Sequence, residues 1–194
     1  MKLKNKFKFK IKLTDILLII LVILVLIPQT RQPLLVFVKR ISNLPPFISS
    51  NDHYGRLSEG DYQWKFVDVD GRTYHLTDFN EKPIFINFWA TWCPPCIAEM
   101  PSIYKLYNDY SDQVNFLFFS NEDHSITQAF LEKNEWCFNT YKPLFASPDL
   151  LDSNTLPTTF IIDKDGNIIV KEKGNKKWDS NKVRNLLDEL LIQN

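Results

Sequence analysis

Cysteine is scarce in this chain, and so is any excess of one charge. Its 194 residues hold three cysteines, three histidines and five glycines, and 23 basic groups face 23 acidic ones. Three cysteines are too few for a disulfide scaffold. Zero formal charge argues against a general nucleic-acid binder, so no nucleic-acid partner is expected. The longest unbroken apolar run, Ile16 to Ile27, has only twelve residues. Disorder is excluded too, because 44% of the residues are hydrophobic and 24% charged. The size suits one domain plus an appendage.

The charge that sums to zero is unevenly placed. Lys2, Lys4, Lys6, Lys8, Lys10 and Lys12 crowd the first twelve residues, and Asp15 is the one acid among the first 30. The remainder carries 17 basic and 22 acidic groups, a net of −5. The apolar run behind the lysines has two main readings. A retained anchor needs about 17–25 apolar residues. Starting at Ile11 and tolerating Asp15 gives 17, with the lysines snorkelling to the surface. A cleaved signal has a core of about 7–15 residues, which also fits. The exit Ile27-Pro28-Gln29-Thr30-Arg31 has no small-x-small site, which favours retention. A buried soluble helix is the third reading. Either membrane reading keeps the lysines inside and exports the rest. The division expected is 1–30, basic tail and anchor or signal peptide; 31–60, juxtamembrane connector with Pro45-Pro46 and Ser49-Ser50-Asn51; and 61–194, the folded domain.

In that domain Tyr62, Trp64 and Phe66 alternate with polar residues, as in a strand with one buried face. Asp70-Gly71 turns it into a second short strand, Thr73 to Leu76. Ile84 to Trp89 is nearly all apolar and suits a central strand covered on both faces. A helix is expected from about Cys93 to Tyr110, kinked or interrupted at Pro101. Val114–Phe119 reads as another strand, Ser125-x-x-Gln128 as a capping box opening a helix, and Leu144–Ala146 as a further strand. Phe160–Ile162 and Ile168–Val170 flank the turn Asp165-Gly166. Asp179 or Ser180 caps a last helix in which Val183, Leu186, Leu187, Leu190 and Leu191 recur at helical spacing. The fold class is α/β: a mixed sheet flanked by helices, with an N-terminal β-hairpin addition and an N-terminal membrane helix.

The chemistry sits in Trp92-Cys93-Pro94-Pro95-Cys96, directly after the central strand. Two thiols three apart on one helical turn can close a disulfide. Unpaired N–H groups at the helix start favour a thiolate at Cys93. Cys96, deeper in the helix, is shielded. Cys93 is therefore the nucleophile that attacks a partner disulfide, and Cys96 resolves the mixed disulfide. A zinc site would need two more ligands. Cys137 stands alone, and His53, His75 and His124 are scattered, so neither metal nor cofactor is expected. A structural disulfide is the other alternative.

Phe88 to Pro101, with its Trp-Cys-Pro-Pro-Cys core and Glu99-Met100-Pro101 tail, resembles the active-site segment of thioredoxin-fold proteins. Within them it resembles the membrane-anchored, extracytoplasmic TlpA/ResA-like thiol–disulfide oxidoreductases. Leu156 to Gly166 is similar to that family as well. The resemblance spans roughly residues 60–192. It implies a cis peptide before Pro157, facing the cysteines, with Leu156 pairing to a bound client strand. It also implies an enzyme that reduces disulfides of exported proteins, apocytochrome c among them, fed by a membrane-bound dithiol donor. The place implied is the bacterial inner membrane, single-pass, with the catalytic domain on the periplasmic side.

Glu99, one turn after Cys96, is the candidate for proton transfer; Asn87 stands where ordinary thioredoxins carry a buried aspartate. Trp92, Pro94, Pro95, Leu156 and Pro157 are the candidate docking residues; Trp89 reads as core, with partner contact as the alternative, and Cys137 as a buried small hydrophobe, with a third redox thiol or an intermolecular partner as the alternative. The rival functions are a dithiol oxidant, a thiol peroxidase on the same fold, and a non-catalytic membrane-tethered binding module.

Overall fold

The computed structural model describes residues 12–26, 33, 35–38, 44–47 and 54–192. Leu13–Leu26 forms helix α1, whose first turn holds Asp15. The Asp15 carboxylate accepts the Lys12 N–H at 2.9 Å. Fourteen residues rise about 21 Å in an α-helix, against about 30 Å of hydrocarbon. Among the described residues no helix is long and apolar enough to cross a membrane. This corrects the expected N-terminal membrane helix. The membrane-anchored assignment, the single-pass inner-membrane location and the membrane-tethered partnership fall with it. Lys2 to Lys10, the exit 27–31, connector residues 32, 34, 39–43 and 48–52, and His53 lie outside the described residues.

Seven strands form one sheet. They are β1 (Lys65–Val67), β2 (Thr73–His75), β3 (Ile84–Phe88), β4 (Asn115–Phe119), β5 (Thr140–Pro143), β6 (Thr158–Ile162) and β7 (Ile168–Lys173). Their order is β2-β1-β5-β4-β3-β6-β7. β3 is central, parallel to β4 and antiparallel to β6. All five of its residues are buried, which is why it reads as a nearly continuous apolar run, broken only by Asn87, rather than an alternation. Three helices complete the domain: α2 (Pro94–Tyr110), α3 (His124–Lys133) and α4 (Asn181–Ile192).

The expected hairpin is β1–β2, antiparallel and turning at Gly71 with φ of 80°, a conformation that suits glycine. Several boundaries differ from expectation. Asp61–Gln63 is a 3₁₀ turn, not strand. The Asp61 carboxylate accepts the N–H and hydroxyl of Ser58, both at 2.8 Å, and this local bonding competes with extension. α2 runs through Pro101 without interruption. α3 starts one residue before Ser125, with Asp123 at its N-cap. The fifth strand is Thr140–Pro143 rather than 144–146. The packed structure also reaches N-terminal of Asp61: Leu57 is buried and its N–H donates to Gly166 O at 2.9 Å.

Two apolar clusters lie on either side of β3. Phe85 joins the first, with Met100, Ile103 and Leu106 of α2 and Val183, Leu187 and Leu190 of α4. Ile84, Ile86 and Phe88 join the second, with Trp64, Phe66, Leu76 and Leu151. That is the period-2 alternation of a strand buried on both faces. It holds the C-terminal end of β3, and so the start of α2, rigidly between the two layers.

Candidate active site

β3 ends at Phe88, and the chain turns through Ala90–Trp92 into α2. Cys93 is the N-cap of α2, with extended backbone (φ −94°, ψ 101°). Pro94 and Pro95 occupy the first two helical positions and carry no N–H. The next residue, Cys96, donates its N–H to Cys93 Sγ at 3.3 Å. The prolines thus leave one backbone donor of the first turn aimed at that sulfur. The two sulfurs form a disulfide, with Cα atoms 5.3 Å apart. Cys93 is 4% exposed and Cys96 is fully buried. Trp92, by contrast, is 62% exposed.

Cys93 opens onto a cavity of about 790 Å³ lined also by Trp89, Trp92, Pro94, Pro95, Phe145 and Leu156. The structure therefore gathers four of the five expected docking residues around the nucleophile candidate. The fifth, Pro157, is buried, and the Leu156–Pro157 peptide is cis. Trp89 is core as expected, at 1% exposure, with one face toward the cavity. Cys137 corrects its expectation: it is a free, exposed thiol. Its neighbour Trp136 turns inward instead, against Phe130 and Tyr104. Among the described residues no group of three His, Cys, Asp or Glu side chains gathers as metal ligands.

Glu99 is fully buried on α2. Its Oε1 accepts from Asn87 Nδ2 at 2.9 Å. Its Oε2 accepts from the Lys176 N–H and the Trp178 indole N–H, both at 3.0 Å. Asn87 Nδ2 also donates to Thr159 Oγ1 at 2.8 Å, its register partner across β3–β6. Burial pushes the Glu99 carboxyl up to about 8, against the lowering effect of these three donors and the Lys176 charge. That value lies close to the ordinary range of a thiol, about 8.5.

Three residues of the site are not assigned to it by the sequence. Lys176 and Trp178 lie 77 and 79 residues from Glu99. Glu122, 31 residues from Thr91, accepts its N–H and its hydroxyl, both at 2.6 Å, and so clamps the loop that delivers Cys93. Glu122→Ala leaves two part-buried donors without their acceptor. It should cost about 1–3 kcal/mol in urea unfolding, with Glu122→Gln costing less.

The Redoxin family model matches residues 58–190, which span every strand and α2 to α4 except the last two residues of α4. The chain belongs to the Redoxin family. Among relatives, it is 33% identical over 113 residues to the thiol-disulfide oxidoreductase ResA of Bacillus thuringiensis subsp. konkukian. That match covers 56% of this chain and 64% of the relative, just under two thirds of its length. The ResA of Halalkalibacterium halodurans is 32% identical over 130 residues, covering 61% of this chain and 69% of that protein. A crystal structure of a thioredoxin-family thiol:disulfide interchange protein from Chlorobium tepidum superposes with a TM-score of 0.53. It shares 24% identity over 66% of this chain and 92% of its own, a likeness that shows the fold.

Proposed function

We propose that this Redoxin-family chain is an extracytoplasmic thiol–disulfide oxidoreductase that reduces disulfides of exported client proteins. The observation that carries this reading is the Cys93–Cys96 disulfide at the start of α2, opening onto an apolar cavity beside exposed Trp92. The similarity to ResA proteins supports it.

Exchange starts from the reduced pair. The Cys93 thiolate, favoured by the Cys96 N–H and the helix N-terminus, attacks one sulfur of the client disulfide. A Cys93–client disulfide forms, and the other client sulfur leaves as a thiolate that takes up a proton. The Glu99 carboxyl, protonated in the folded protein, supplies that proton; the carboxylate so formed then takes the proton of Cys96, which attacks Cys93 Sγ. The second client sulfur departs and is protonated in turn. Two electrons have moved to the client, which gains two thiols, and the protein is left as the disulfide seen here. A dithiol donor restores the pair. In this scheme Trp92, Pro94, Pro95 and Leu156 hold the client around the reacting sulfur, and Pro157 fixes the backbone beside them.

The test is turnover. The purified chain should accelerate reduction of insulin disulfides by dithiothreitol well beyond the rate of dithiothreitol alone. Equal rates with and without the protein would reject the proposal.

A further inference from the structure

We propose that Trp178 is a positioning residue for Glu99, its indole N–H holding Oε2 and thereby tuning proton transfer at the cysteine pair. This rests on the reading of Glu99 as proton carrier given above.

Trp178 is fully buried, and a buried indole N–H needs an acceptor. The acceptor here is Glu99 Oε2, at 3.0 Å. Both ends of the residue are fixed. Its ring meets Phe85 of β3 edge-on, at 5.2 Å and 88°. Its backbone N–H donates to Ser102 Oγ at 3.1 Å, and that hydroxyl donates to Glu99 O at 2.8 Å. The indole is therefore tied to the turn of α2 that carries Glu99, and it cannot swing away without breaking both links.

The loop that brings Trp178 is tied to the docking residues too. Gly174, with φ of 77°, donates its N–H to Pro157 O at 2.9 Å. Two residues on, the Lys176 N–H reaches the same Glu99 oxygen as the indole. The loop thus runs from the cis-proline to the carboxyl in a few residues. Facing Glu99 are the uncharged Asn87 of β3 and, beyond it, Thr159 of β6. The charged group is Lys176, whose ammonium pairs with Glu172 at 3.0 Å. On α2 itself the titratable neighbour one turn back is Cys96. Among these, the indole is the side-chain donor to Oε2.

An N–H bonded to a carboxylate favours the charged form. Removing it must move the carboxyl midpoint upward, by about one pH unit for one charge-assisted bond. The probe is the oxidised full chain with ¹³C-labelled glutamate carboxyls, in which neither active-site sulfur titrates. Glu99→Gln identifies the signal. Trp178 is then replaced by 3-benzothienylalanine, which keeps the ring shape and puts sulfur in place of the N–H; Trp178→Phe is the second variant. We expect the Glu99 midpoint to rise by about one pH unit in both. The inflection in the pH profile of disulfide exchange should rise with it, and Glu99→Gln should abolish that inflection. An unmoved midpoint overturns the inference, since a purely structural tryptophan would leave it there. If the midpoint moves but Glu99→Gln keeps the native rate profile, the proton-carrier reading has failed. The part assigned to Trp178 in the reaction then falls with it.

Discussion

Cys93→Ser returns disulfide exchange to its uncatalysed rate, while Cys96→Ser stops it one step later. The asymmetry comes from the way α2 begins. Cys93 lies at the mouth of the cavity, with the Cys96 N–H aimed at its sulfur. A serine hydroxyl there cannot open a client disulfide, so nothing follows. Cys96 is fully buried, and the sulfur it pairs with is that of Cys93. Without it the first exchange still occurs, and the protein stops as a mixed disulfide after about one turnover. Stopped-flow measurement of released client thiol separates the two: no release for Cys93→Ser, one equivalent for Cys96→Ser. Equal loss in both variants, with no burst, would mean that the two sulfurs have interchangeable roles.

The oxidised protein loses stability steeply between about pH 5 and pH 8. The Glu99 carboxyl is raised from 4.5 to about 8 by burial. The folded state therefore holds its proton where the unfolded state has released it. The resulting stabilisation is complete below pH 4.5. It then falls by about 1.4 kcal/mol per pH unit and levels off above pH 8. The total is on the order of 4 to 5 kcal/mol, a large fraction of the 5–15 kcal/mol typical of a domain. Glu99→Gln does not ionise, so its stability should be nearly flat over that window. It should be less stable than the native chain at pH 5, where its amide must find an acceptor among donors, and more stable at pH 8.5. Urea unfolding at the two pH values reads this crossing; parallel curves would show that Glu99 carries no buried proton.

What could be read without a structure was what short-range pattern encodes. The run Ile84–Phe88, apolar but for Asn87, marks a strand covered on both faces. The Cys-Pro-Pro-Cys spacing marks a helix start with two sulfurs on one turn, and Glu99 follows by helical spacing. Features settled by local competition were misplaced. Alternation at Tyr62 and Trp64 suggests strand, but the Asp61–Ser58 bonds tighten that stretch into a turn. Cys137 sits between Trp136 and Phe138 and so looks buried. The chain reverses at Glu135, with φ of 57°, and turns the thiol outward while its neighbours face in. The apolar run behind the lysines looked long enough for an anchor only with Asp15 tolerated inside it, and the helix it forms has 14 residues. Two of the three donors to Glu99 were out of reach for another reason. One is a backbone N–H, which leaves no signature in residue type. The other is a tryptophan 79 positions away that any apolar pattern would assign to the core.

The central claim is that Cys93 carries the covalent link to the client. It is tested most directly by mapping that link in the Cys96→Ser, Cys137→Ser chain after reaction with a disulfide-bonded peptide. Tryptic mass analysis under non-reducing conditions should find the peptide on Cys93, in about one equivalent. A chain that stays unmodified, with its Cys93 thiol free, would contradict the account.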